Sequence, residues 1–138
     1  MVNALIESHR VLKPNGLLID LRPAVMHRRV GTTAAEGYRL RWVMRETFED
    51  DRAADRAVKE VIANGWFKAE RRAMRFDCYR IMDRMGEFQE WLDDFVSRNE
   101  LGSHDWLVKR LERALAAEGG KTRIVVSAPL ILQVLRKQ

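Results

Sequence analysis

Glu7 to Pro23, ESHRVLKPNGLLIDLRP, decides the fold, because it reads as a helix end, a tight turn and a strand in immediate succession. Ahead of the turn, Val2, Leu5, Ile6 and Leu12 recur at helical spacing, with Asn3 placed to cap the helix and Asn15-Gly16 to stop it. His9 falls on the same face, where a hydrogen-bonded structural histidine is expected rather than a catalytic one. Leu17-Leu18-Ile19 is a short unbroken apolar run, which suits a strand covered on both faces. Asp20 and Arg22 follow at its carboxyl end, the place where open α/β sheets bind ligands.

Beyond this stretch the periodicities alternate. Tyr38, Leu40, Trp42 and Met44 interleave with Arg39, Arg41, Val43 and Arg45, a period of two that predicts a strand with its aromatic face in the core and an arginine face in water. With Val25 to Val30 before it and Gly31 to Gly37 as a loop, residues 24–45 read as a β-hairpin insertion. Phe48 to Asn64 predicts a helix, its apolar stripe made by Ala54, Ala57, Val58, Val61 and Ile62, and its start favoured by Glu49, Asp50 and Asp51 at the positive end of the dipole. Trp66 to Met82 reads as a strand in which Met74, Phe76 and Cys78 alternate with Arg75, Asp77 and Tyr79. Two amphipathic helices follow. The first is capped by Asp83 and buries Phe88, Trp91, Leu92, Phe95 and Val96; the second opens at Ser103, buries Leu107, Leu111, Ala114 and Leu115, and ends at Gly119-Gly120. In the last segment, Thr122 to Arg136, the apolar residues Ile124, Val126, Ala128, Leu130, Leu132 and Val134 all take even positions, the mark of a long half-buried strand. Pro129 lacks a backbone donor, so a bulge, a break or an edge is expected there.

The turn Leu12-Lys13-Pro14-Asn15-Gly16 resembles the Leu-Lys-Pro-Gly-Gly-like turn that precedes the fifth strand of S-adenosylmethionine-dependent methyltransferases of the Rossmann-like class, with Asn15 in place of the first glycine. Asparagine tolerates the left-handed conformation better than other non-glycine residues, which makes the change mild. The order of elements and the ending Leu132-Gln133-Val134-Leu135-Arg136-Lys137 are similar to the rest of that family's second half. What the resemblance implies is an α/β, α+β-like fold over residues 1–138 as a single partial domain: a small mixed three-stranded sheet with flanking helices, in which the last strand lies antiparallel between the other two. The family holds its cofactor over a glycine-rich turn after the first strand, and no G-x-G-x-x-G occurs in this sequence. The isolated chain is therefore expected to bind no S-adenosylmethionine unless a partner supplies the cofactor half. Should it act on a substrate, Asp20, Arg22 and His27 are the candidates nearest the sheet's carboxyl end. In the family the strand Leu17 to Leu21 has a further neighbour on its far side, so that edge is bare, and a homodimer through it or through its flanking helices is expected.

Composition bounds the alternatives. With 46% hydrophobic and 33% charged residues the chain of 138 residues has the make-up of an ordinary globular protein with one core. No apolar run reaches the length of a membrane span, and a cytoplasmic protein without membrane association is expected. The single Cys78 excludes an internal disulfide and reads as a structural apolar thiol, and His9, His27 and His104 show no metal-ligand spacing. The net charge of +5 arises between Arg22 and Arg45, where six arginines meet only Glu36. Arg28, Arg29, Arg39, Arg41 and Arg45 are accordingly candidates for binding an anion or nucleic acid, with Tyr38 and Trp42 available to stack on bases. A purely interacting or regulatory dimer is the third reading.

Overall fold

A computed structural model describes residues 2–35, 37–98, 103–118 and 122–138. The chain divides into two compact units: residues 1–26, 48–77 and 129–138 make one, residues 27–47 and 78–128 the other. Among the described residues ten elements run in the order α1 (Val2–Val11), β1 (Leu17–Pro23), β2 (Arg29–Ala34), β3 (Gly37–Val43), α2 (Glu49–Ala63), β4 (Phe67–Ala69), β5 (Met74–Met82), α3 (Met85–Arg98), α4 (Asp105–Glu118) and β6 (Arg123–Lys137). The architecture is mixed α/β of the α+β kind. Its sheet has six strands rather than three, with β1, β2, β4 and β5 all paired to β6 and β3 paired to β2. Every register is antiparallel, which replaces the mixed sheet expected from the sequence.

In the first unit, α1 ends at Val11, and the chain turns through Lys13 to Gly16, whose amide donates to the Lys13 carbonyl at 2.8 Å. Asn15 takes φ 61° there. Proline second and a left-handed residue third is the sequence logic of a type II turn, so Asn15 serves the turn rather than the helix end. β1 then pairs with β6 from Leu17↔Arg136 to Pro23↔Leu130, and β4 pairs with the same strand from Phe67↔Lys137 to Ala69↔Leu135. Because Leu135 faces both Leu18 and Ala69, β1 and β4 lie on opposite edges of β6. The anticipated strand from Trp66 to Met82 is broken in two between Ala69 and Met74. α2 closes where Gly65 adopts φ 74°, a conformation that costs glycine nothing. One side of this sheet buries Leu135 and Phe67 against Leu5 of α1 and Ala57, Val58 and Val61 of α2. His9 is half-buried there, with its ring edge-on to Phe67 at 5.4 Å.

The second unit has the inserted hairpin but displaces its first strand: β2 runs Arg29–Ala34 rather than from Val25 to Val30, taking up most of the expected Gly31 to Gly37 loop, and it also pairs with β6 from Arg29↔Ser127 to Thr33↔Arg123. Gly31 is required where the hairpin shifts register, because a Cβ there would overlap the Tyr38 ring and the Arg39 carbonyl. Val30, Met44, Met82, Ile124 and Val126 form the core with Phe88, Leu92 and Phe95 of α3 and Leu107 and Leu111 of α4. Phe88, fully buried, is worth about 3 kcal/mol to this unit on burial alone. The helical stripes read from the sequence are thus the buried ones, except that Trp91, Val96, Ala114 and Leu115 are only partly covered. The expected stop at Gly119-Gly120 lies outside the described residues.

β6 departs from the even-numbered pattern. Ile124 and Val126 are buried as expected, but further on Pro129, Ile131 and Leu135 are the buried residues while Leu130, Leu132 and Val134 are half-exposed. The strand runs on through Pro129, but the β2 ladder ends at Ser127 and the β1 ladder begins at Leu130, so Pro129 falls at a break between ladders, one of the outcomes expected of it; its carbonyl accepts from the Ala24 amide at 2.9 Å.

Candidate functional site: the uncovered face and free edge of β1

Ladder partners project on the same side of a sheet. Leu17, Ile19 and Leu21 of β1 therefore share a side with their partners Arg136, Val134 and Leu132 of β6. No helix covers it within the unit: Leu17, Ile19 and Leu21 are 48%, 68% and 57% exposed. The expectation of a strand covered on both faces is wrong for this reason, since α1 and α2 serve only the side carrying Leu18 and Leu135. Met74, also exposed, extends the apolar surface toward a hollow of about 380 Å³ lined by Leu17, Leu132 and Val134 together with Glu70, Arg71 and Arg136. A bidentate ion pair closes its rim: Arg136 donates through Nε to Glu70 at 2.6 Å and through a second nitrogen at 3.1 Å. That hydrogen bond holds the Glu70 carboxyl below its ordinary range. β1 stands at the end of the sheet order, with β6 its one strand partner among the described residues, so its outer backbone groups are unpaired.

The opposite side of β1 holds the carboxyl-end candidates. Arg22 is buried, and donates through Nε and a terminal nitrogen to Asp55 of α2 at 3.0 and 2.8 Å and through its other terminal nitrogen to Asp20. Asp20 and Arg22 thus come together as the sequence suggested, but as a charge-compensated lock between strand and helix, both side chains largely shielded from solvent. His27 belongs to the other unit, where its Nδ1 accepts from the Glu46 amide at 3.3 Å. Asp55, which completes the lock, sits 33 residues from Arg22 on a helix whose sequence shows only amphipathicity, and no local signal singles it out.

The arginine candidates are mostly engaged. Arg28 is held by Glu46 through both backbone and side chain and lies over the Phe95 ring at 4.8 Å. Arg29 donates to Ser127 Oγ at 3.2 Å. Arg39 and Arg41 converge on Glu118 of α4, and Arg41 also donates to Thr32 Oγ1 at 3.0 Å. The arginine face was expected in water and the aromatic face in the core; instead Tyr38 and Leu40 are exposed and Arg41 is half-buried, because α4 offers a carboxylate on that side. Arg45 has no ion pair among the described residues, whereas Arg28, Arg39 and Arg41 each have one. Cys78 is exposed, which corrects the reading of it as a structural apolar thiol, and no cluster of three metal-ligating side chains occurs among the described residues. No described helix is long and apolar enough to cross a membrane.

No protein-family model, curated protein or solved structure matches the chain.

Proposed function

We propose that this chain is a methyltransferase-like half-fold that completes another body instead of binding S-adenosylmethionine itself. The observation that supports the reading is the placement of β6 antiparallel between β1 and the short β4, the strand order that the methyltransferase resemblance implies. A bare edge and an apolar side fall on β1, the strand whose outer neighbour the resemblance assigns to the cofactor half. Asp20 and Arg22 act in this reading as the lock that holds β1 to α2, keeping the edge straight for a strand to join. In the isolated chain, the same edge pairs with a second copy about a twofold axis. Antiparallel pairing centred on Ile19 sets Leu17 against Leu21 of the other copy, so the apolar residues meet on one side while Asp20 keeps its Arg22 partner on the other.

Calorimetric titration of the isolated chain with S-adenosylmethionine tests the first part. The expected result is no heat of binding up to millimolar ligand, and micromolar affinity would overturn the reading, since it would require a cofactor cradle within this sequence.

A further inference from the structure

The second unit holds a cluster of cations that the fold leaves without carboxylates. Arg45, at the end of the hairpin, and Arg110 of α4 line one hollow of about 500 Å³ beside Trp42. Arg110 also lines a second hollow, of about 450 Å³, with Lys109, Arg113 and Trp106. No acidic residue lines either hollow, and none of the four cations has an ion pair among the described residues. The contrast lies in the same unit, where Arg28, Arg39, Arg41, Arg84 and Arg98 each have a carboxylate partner. Four like charges brought together on a folded surface repel one another, and a phosphate chain is the ligand that turns that repulsion into attraction.

The aromatic groups beside them narrow the ligand. Trp106 is 42% exposed and meets the Trp42 ring edge-on, with centroids 4.4 Å apart and planes at 71°. Trp42 packs against the buried core, so Trp106 is braced from one side and offers ring surface to solvent on the other. An exposed, braced indole beside unpaired cations is the combination that stacks an unpaired base while holding its backbone. Trp106, Lys109, Arg110 and Arg113 succeed one another at helical spacing over about 10 Å of α4, the reach of a few nucleotides. We infer that this face binds a short single strand of nucleic acid, its phosphates on Arg45, Lys109, Arg110 and Arg113 and a base stacked on Trp106. Of the arginine run evident in the sequence, Arg41 and Arg45 line the first hollow, but Arg41 is held by Glu118 and Arg45 alone is assigned a phosphate; the site is independent of the methyltransferase-like reading.

Fluorescence anisotropy with a labelled oligouridylate of about ten nucleotides tests it, with a duplex of equal length and free uridine monophosphate as competitors. The single strand is expected to bind and to weaken with salt, each phosphate contact adding about −0.7 to the slope of log K against log salt. Lys109→Glu with Arg110→Glu is expected to weaken binding at least tenfold and to flatten that slope, and Trp106→Ala to weaken it about tenfold with the slope kept. Arg56→Glu with Lys59→Glu, the same charge change on the exposed side of α2, should alter affinity less than twofold. Salt-independent binding, no binding, equal loss from the two charge-reversed pairs, or displacement by the duplex or the monophosphate as effective as by the single strand would each overturn the proposal. The charge reversals lie at exposed positions, so they stay informative even if Trp106→Ala fails to fold.

Discussion

Replacing Ile19 by lysine should abolish pairing of two copies while leaving each copy folded. Ile19 is 68% exposed, so most of its surface remains to be covered by a neighbour. Full burial of such a side chain contributes about 1.5–3 kcal/mol, and covering the exposed portion therefore contributes about 1.5 kcal/mol per copy, or about 3 kcal/mol per twofold pair. Lysine forfeits that and sets two ammonium groups near each other across the axis, so the dissociation constant rises on the order of a hundredfold. The fold of the single copy should change by less than about 0.5 kcal/mol, because the side chain at position 19 is mostly exposed there. Sedimentation velocity over a concentration series from about 1 to 100 µM reads the association, and circular dichroism checks the fold. Val11→Lys is the companion: Val11 is 66% exposed at the end of α1, and its replacement should leave the pair intact. A wild-type chain that sediments as a monomer throughout, or a pair lost with Val11→Lys and kept with Ile19→Lys, would refute the assignment to β1.

Two further outcomes concern the charge network. Arg22→Ala leaves Asp20 and Asp55 facing each other without a cation and should cost about 3 kcal/mol in urea unfolding, whereas a loss below about 1 kcal/mol would show that the lock is solvated and unimportant. Glu70 and Glu87 are held below the ordinary 4.5 by hydrogen bonds from Arg136 and Arg84. Their contribution to stability is full above that ordinary value and is lost as pH falls through the lowered ones, so acid unfolding below about pH 5 should be shallower in Glu70→Gln than in the wild type.

Local patterns reported the elements well because each rests on neighbouring residues. The stripe Phe88, Leu92, Phe95 needed only helical spacing, and the hairpin only the alternation around Tyr38 to Arg45. Periodicity states which residues share a side, and is silent on whether anything covers it. Leu17 to Leu21 looked doubly covered and Met74 to Cys78 looked half-buried, yet both project apolar side chains into solvent. The parity change in β6 escaped for the same reason, since all its residues from Leu130 to Leu132 are apolar and only packing selects among them. The Arg22–Asp55 lock and the Arg45–Arg110 cluster join residues far apart in sequence, and arginine is too frequent here for any single one to stand out.

β6 also sets the timetable of folding. Each unit closes its core on a strand that the ribosome delivers after everything it must pair with, and Lys137 Nζ reaches back 128 residues to the His9 carbonyl. Contacts of such long sequence separation form slowly, because the entropy of closing the loop is lost before the pairing repays it. Until β6 arrives, β1 and β2 have no ladder partner along that border, and a nascent chain would present sticky strands to its neighbours. Growth temperature and chaperone supply should accordingly affect the recovered yield of this protein.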